Sequence, residues 1–577
     1  MKELVKYFKP YLPAFVILLF FVWGQSYVNL ALPDYTARIV NEGISRNDLG
    51  LIYSVGMEMM LITLLGGIFT IVIGFLASKI SSGYARRLRE AMFAKVESFS
   101  LDEFSAFSSS SLITRATNDI QQLQNVLAML MRMTLLAPFI GVGAVVKAER
   151  LAPSMSWIMF AAIGFLIVAL LVLFFAAVPK FTLIQQLVDK LGLEVREMLV
   201  GVRVIRAYGK DAATEEKFAR TNLESTRLNV FVGRLMSLMN PVMTLAMGLA
   251  SVAVVWVGAY LIDAGELNIG HVVALMQYVS QAIFSFLMLS IIFIMIPRAA
   301  VSGRRINEVL STEPKINDPE KPEHLSAPVR GVIEFKDVSF SYQGSEQPVL
   351  TGISFIARPG QTTAIVGGTG SGKSTLLNLI PRLFDVTVGS IALDGTDIRH
   401  LTQHELHEHI GYIPQKAMLF SGSVKSNIAY GKTDADNSEI EKAAAIAQAE
   451  EFISSLPKGI ESSIAQAGTN ISGGQKQRLS IARALVRHSP VILFDDSFSA
   501  LDYRTDAALR SALERELKSS TIIIVAQRIS TIMNADNILV LDQGKIVGQG
   551  KHAELLSSCR VYREIAESQL SAEELEK

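Results

Sequence analysis

SGGQKQRLSIARALVRHSPVILFDDSFSALD, residues 472–502, decides how the back half of this chain folds. Ser472 followed by Gly473 and Gly474 has the composition of a helix start, where bare amides at the positive helix end can hold an anion. The apolar run Val491-Ile-Leu-Phe494 reads as a buried strand that delivers two carboxylates, Asp495 and Asp496, to its end. A magnesium–nucleotide site needs such a pair, one carboxylate as metal ligand and one to activate water. Asp495 suits the first role. Asp496 is one methylene short for the second.

Upstream, GGTGSGKS at Gly367 to Ser374 fits the phosphate-loop pattern G-x-x-x-x-G-K-[ST]. A strand-like run, Thr362-Thr-Ala-Ile-Val366, precedes it, and a helix-like run beginning at Thr375 follows it. In this order Gly367, Gly368, Thr369, Gly370, Ser371 and Gly372 let backbone N–H groups close around phosphate oxygens. Lys373 then neutralises β/γ charge and Ser374 offers a hydroxyl to Mg²⁺. A Gly-rich turn without a ligand is the plain alternative, and the flanking strand and helix argue against it. By spacing alone, Gln415 in GYIPQ and the Ser472-Gly473-Gly474-Gln475 stretch are surface loop residues, the latter a helix cap.

The 577 residues are too many for one core, and their composition is split. Long apolar runs all fall before about residue 300, and eighteen of the twenty methionines lie there too. Six spans of near-bilayer length are expected at about 13–33, 52–80, 127–147, 154–178, 239–262 and 272–297. Lys and Arg crowd the N-terminus and the connections 81–126 and 179–238, whereas 263–270 has neither. The positive-inside rule therefore puts the N-terminus and the C-terminal domain in the cytosol. The two basic connections have helical composition and read as membrane helices extended into the cytosol, each with a turn-over point, near 101–107 and 204–218. Pro33-Asp34 and Ala152-Pro153 read as breakers in short outer loops.

Ser311 to Arg330 carries four prolines and is the expected linker, giving domains of 1–310 and 331–577. The tail after about Cys559 is polar and helical, ending in SAEELEK. Zero net charge gives no electrostatic reason to expect nucleic acid, and the lone Cys559 excludes an intrachain disulfide. Near the middle of the spans no charged residue stands, which argues against a proton relay. Gln277, Gln281, Phe284, Ser285 and Met288 share one helical face, with Met243, Met247 and Trp256 on the preceding span. Helix packing explains any one of them; together they suit an adaptable apolar cavity.

Taken together, the chain resembles a half-transporter of the ATP-binding cassette exporter family over essentially its whole length. The fold this implies is a six-helix transmembrane domain with long cytosolic extensions, followed by an α/β P-loop nucleotide-binding domain. The resemblance matches Tyr342 to an adenine-stacking aromatic and Gly367 to Thr375 to the phosphate loop. It matches Gln415 to the glutamine loop, NISGGQKQR to the signature, Asp495 to the magnesium aspartate and Ser499 to Asp502 to the D-loop. Mg²⁺ ligands on this basis are Ser374, Gln415 and Asp495. ATP and Mg²⁺ are the implied cofactors.

Three positions depart from the family pattern. Asp496 replaces the water-orienting glutamate, Gln527 replaces the switch histidine, and Ala465 to Gly468 replaces a Gly-Glu-Arg-Gly-like turn. An aspartate carboxylate sits about 1 Å further back, and misplacement of that size costs on the order of 10²-fold in rate. Gln527 can hydrogen-bond but cannot exchange a proton as imidazole does. In this family two nucleotide domains pack head to tail, so Asp496 and Gln527 serve this chain's own phosphate loop while Ser472 to Gln475 and Asp502 reach the partner's. Losses confined to the first set are expected of one subunit of a heterodimer, here a bacterial multidrug exporter in the inner (plasma) membrane. Its expected partners are a homologous half-transporter, the lipid bilayer and hydrophobic small molecules, with no nucleic acid. The alternatives are a homodimeric lipid or peptide exporter with two slow sites, and a membrane ATP sensor that does not transport.

Overall fold

The computed structural model describes residues 2–570, so the SAEELEK tail lies outside the described residues. These divide into two compact units. One takes in the residues up to Val96 and Ser109–Thr312; the other takes in Glu97–Ser108 and the residues from Glu313 onward.

The first unit is helical because no other open structure satisfies its backbone in hydrocarbon. Its principal helices are α1 (Leu12–Arg38), α2 (Leu49–Glu97), α3 (Leu136–Leu151), α4 (Ser156–Ala207), α5 (Asp211–Ser237), α6 (Met239–Asp263) and α7 (Ile269–Ser311). Among the described residues six stretches are long and apolar enough to cross a membrane, and each of the six expected spans overlaps one of them in order. α2 and α4, at 49 and 52 residues, far exceed the ~20 that a bilayer needs. Their remaining length carries the first part of each of the two basic connections of the sequence.

Pro33 corrects the sequence reading. Expected to break the chain in an outer loop, it lies inside α1, which continues as a π-turn over Ile39–Ile44. A proline in a helix leaves the carbonyl four residues earlier without its N–H donor. Here that carbonyl is Asn29 O, and Gln281 Nε2 of α7 donates to it at 2.9 Å. One turn further, the Tyr278 hydroxyl donates to Leu30 O and to Asp34, which also pairs with Lys147 of α3. A neighbouring helix thus repairs the ladder that Pro33 interrupts. Ala152-Pro153, by contrast, does separate α3 from α4.

The same contacts revise the expected cavity face. Gln281 is engaged in repair and Ser285 is buried against the chain, while Phe284 is half exposed. On α6, Met243 is buried in the helix core and Trp256 is exposed, so these two do not share one surface.

In the second unit, residues 97–108 form a turn around a short helix, Leu101–Ala106, at the first expected turn-over point. Ser100 caps it and Glu103 bonds back to the Ser100 N–H at 2.8 Å, a reciprocal capping box. Lys315 bonds Asp102 at 3.0 Å and Gln343 at 2.7 Å, holding that turn to the rest of the unit. The second turn-over point is the short break between Ala207 and Asp211, in the first unit.

The remainder is α/β. Strands β1 (Ile333–Phe340), β2 (Leu350–Ala357), β4 (Val388–Leu393) and β5 (Thr396–Asp397) form an antiparallel sheet in the order β2-β1-β4-β5. A six-stranded sheet is built from β3 (Thr362–Gly367), β6 (Ile410–Ile413), β7 (Val491–Asp495), β8 (Thr521–Val525), β9 (Asn537–Asp542) and β10 (Lys545–Gly550), in the order β10-β9-β3-β8-β7-β6. All its pairings are parallel except β9 with β10. β7 and β8 are buried along their whole length, as their unbroken apolar runs require. Helices α8 (Lys373–Leu379), α9 (Gly473–Leu485), α10 (Tyr503–Glu516) and α11 (Arg560–Glu567) belong to the same unit.

Gln281→Leu is expected to destabilise the membrane unit by about 1–2 kcal/mol by orphaning Asn29 O. In a Pro33→Ala background, where a backbone N–H returns, it should cost much less. Thermal inactivation midpoints of the four proteins in lipid discs give the coupling; equal costs in both backgrounds would refute the repair.

Candidate functional site

Three parallel strands end together. Val525 of β8 pairs with Ile365 of β3 and with Asp495 of β7, so the residues that follow each strand emerge at one edge. From β3 comes the phosphate loop, from β7 the carboxylates, and from β8 the turn holding Gln527.

The loop requires its glycines. Gly370 and Gly372 have φ of 81° and 100°, and a Cβ on Gly367 would stand 2.0 Å from the Leu541 carbonyl oxygen. Lys373 opens α8 and folds back so that Nζ donates to the Gly367 and Gly368 carbonyls at 2.9 and 2.7 Å. Burial pulls the Lys373 ammonium below its ordinary pKa, opposed by Asp496 and Asp495. A buried cation at a Gly-rich turn fits an anionic ligand. So does Ser371, whose buried hydroxyl has no hydrogen-bond partner within the described residues.

Ser374 Oγ donates to Asp495 Oδ1 at 2.8 Å, joining the phosphate loop to the strand end. Burial raises the Asp495 carboxyl and the Ser374 bond opposes that rise. Burial, with Asp495 nearby, also pushes the Tyr412 phenol up to about 12, and its hydroxyl donates to Asn378 at 3.0 Å. A hydroxyl and a desolvated carboxylate side by side are a donor set suited to Mg²⁺.

Asp496 sits in a left-handed turn at φ 46°, a conformation that aspartate enters more readily than most side chains. Its N–H donates to Val525 O at 2.9 Å and its carbonyl accepts from Ser499 Oγ at 2.8 Å. Two amides meet one carboxylate oxygen: Gln415 Nε2 and Gln527 Nε2 donate to Asp496 Oδ2 at 3.1 and 3.0 Å. Asp496 and Gln527, assigned to water orientation and switching, are therefore in direct contact, and Gln415, assigned to Mg²⁺, bonds the same carboxylate. Tyr342 stands at the loop's far side, its hydroxyl 2.9 Å from Thr375 Oγ1 and its ring edge-on to Phe340 and Phe384.

Ser472, Gly473, Gly474 and Gln475 are elsewhere. Ser472 caps α9, with Gln475 completing a reciprocal capping box. Asp502 caps α10 through the Thr505 N–H and hydroxyl. Among the described residues, none of their hydrogen bonds reaches the phosphate loop of the same chain. The departing turn at Ala465–Gly468 holds Ala467 at φ 54° and is tied down by Asn470 to Ala465 N and Ser463 O.

Some supporting residues escaped the sequence reading. Gln477 donates to Pro414 O, linking α9 to the Gln415 loop, and Ser497 Oγ donates to Ile413 O beneath it. Their signal was a polar side chain on an otherwise buried helix or strand end, too common to single out.

Comparison with known proteins agrees with this geometry. The ABC transporter family model matches residues 350–499, and the ABC transporter transmembrane region model matches 15–288. An uncharacterized ABC transporter ATP-binding protein of Mycobacterium tuberculosis is 38% identical over 98% of this chain and 97% of its own length. A probable multidrug resistance ABC transporter ATP-binding/permease protein of Bacillus subtilis is 38% identical over 68% of this chain and 66% of its own. The structure of a bacterial Atm1-family ABC exporter with ATP bound superposes with a TM-score of 0.79 at 26% identity, covering 97% of this chain and 99% of that one. Identity sustained across both modules, in this order and over nearly the full length, shows that the chain belongs to the ABC transporter family, as a multi-pass membrane exporter half with its transport ATPase domain fused to it.

Proposed function

We propose that this chain is the degenerate-site half of a heterodimeric exporter of hydrophobic or amphipathic compounds. It binds ATP at its own slow site and lends Ser472–Gln475 and Asp502 to the partner's active site. The observation that carries this reading is the Asp496 carboxylate, short by one methylene and bonded on one oxygen by Gln415 and Gln527. A base that orients water needs its carboxylate to reach the attacking molecule, and its switch neighbour to exchange a proton. Here the reach is shortened and the neighbour is an amide. The elements that cross to a partner retain the family pattern.

In this reading Tyr342 stacks on adenine, Gly367 to Thr375 enclose the phosphates, and Ser374, Asp495 and Gln415 hold Mg²⁺. Bound Mg²⁺ would offset phosphate charge. Residues 1–310 form the translocation domain, 311–330 the linker and 331–577 the nucleotide-binding domain. The N-terminus and the nucleotide domain face the cytosol, and the protein resides in the inner (plasma) membrane. The multidrug description of the Bacillus relative and the lack of charged residues near the middle of the spans support an apolar substrate.

Heterodimerism makes the two sites unequal. In the assembled transporter, Lys373→Ala should retain more than about half of the steady-state hydrolysis, whereas Ser472→Ala should lower it about tenfold. ATPase assays on the purified complex decide; equal losses would mean a homodimer, and so would full activity of the chain alone.

The altered residues also define a gain of function. Asp496→Glu combined with Gln527→His should raise single-turnover cleavage at this chain's site by up to on the order of 10²-fold. No increase would place the slow step outside these two side chains.

A further inference from the structure

Gln569 lies two residues beyond the end of α11, on a stretch to which the sequence reading gave only the label of a polar tail. Its amide is engaged at both ends. Nε2 donates to the Gln527 carbonyl at 2.8 Å, and Oε1 accepts from the Ile529 N–H at 2.9 Å. One side chain thus bridges the two backbone groups that bracket Arg528, in the turn between β8 and the short helix Ile529–Ile532. That turn has no backbone partner for the Gln527 carbonyl among the described residues. Gln569 acts there as a strand of one residue.

Gln569 is itself held. Its N–H donates to Ala566 O at 3.0 Å, and Ala566 and Tyr562 of α11 are fully buried. The Tyr562 hydroxyl and His552 Nδ1 share a hydrogen bond of 2.7 Å, which fastens the helix from below. Leu570 packs against the core that α11 joins. The path from α11 to Asp496 is continuous: Gln569, the Gln527 backbone, the Gln527 amide, the Asp496 carboxylate.

We infer that Gln569 is a positioning residue for Gln527, and that through it the C-terminal segment sets how long nucleotide is retained at this chain's phosphate loop. This rests on the proposed role of Gln527 beside bound ATP. Freed of Gln569, the turn at 527–529 gains backbone freedom, and the amide spends less time aimed at the site. The phosphate loop, Lys373 and Tyr342 are untouched, so first capture of ATP is unchanged and its retention is not.

The test uses the full-length transporter with the chain it assembles with, in lipid discs, loaded with radiolabelled azido-ATP, chased with unlabelled ATP and crosslinked at intervals. Retention is read as label on this chain. Gln569→Ala should shorten retention about fivefold, as expected for one exposed and one part-buried hydrogen bond of ordinary strength, with initial labelling unchanged. Gln569→Glu fills the same volume but sets a carboxylate oxygen against the Gln527 carbonyl, and should shorten retention at least as much. Truncation after Leu570 should match the parent, and truncation after Ser568 should match Gln569→Ala. Tyr562→Phe removes the bond to His552 but spares both Gln569 side-chain bonds; it should lower thermal stability and shorten retention much less than Gln569→Ala.

Parental retention in Gln569→Ala would overturn the inference. So would its recovery in Gln569→Glu, which would make the residue a space-filler, or an equal loss in Tyr562→Phe, which would make the effect one of helix packing. If the parent chain takes no label at all, ATP binding at Lys373 fails first, and the inference falls with it.

Discussion

Parallel pairing of β3, β8 and β7 is the constraint on which the nucleotide unit depends. Parallel strands run in one direction, so every segment that follows them leaves from the same edge. The pairings of Val525 with Ile365 and Asp495 bring Ser374 of the phosphate loop within hydrogen-bonding distance of Asp495, 121 residues away in sequence, and Gln527 within reach of Asp496. A slip of one residue in β7 would turn Asp495 to the opposite face and part it from Ser374. The unbroken apolar runs of β7 and β8, covered on both faces, resist that slip through burial.

Where chemistry imposes a fixed spacing, the sequence was legible. The phosphate loop, the carboxylate pair and the helix cap at Ser472 are local patterns, and each lies on the element expected of it. The six membrane spans were legible for a different reason: a bilayer sets both their length and their polarity. What could not be read was anything that depends on a neighbour. Gln281 looked like a cavity residue because its periodicity matched Ser285 and Met288, but its amide is taken by the Asn29 carbonyl that Pro33 leaves free. Periodicity gives the face of a helix, not what lies opposite.

Pro33 makes the same point in reverse. Its local preference is to stop a helix, and in water that preference usually prevails. Inside a membrane bundle a break would expose several backbone groups to hydrocarbon, whereas continuing the helix frees one carbonyl, which one side chain can meet. α1 therefore continues, at the cost of committing Gln281 and Tyr278 to its repair.

Asp496 can be understood in the same terms. The turn after β7 bends through a left-handed residue, and aspartate suits that backbone. Its short side chain keeps the carboxylate close to the strand end, where Gln415 and Gln527 both find the same oxygen. Two amide donors occupy lone pairs of the oxygen they share, which leaves that oxygen less free to orient a water. Histidine in place of Gln527 could give up or take a proton as the carboxylate's environment changed; an amide cannot. On the proposed reading of a slow site, Gln569, by fixing the backbone under Gln527, acts on how long nucleotide is held rather than on the chemistry.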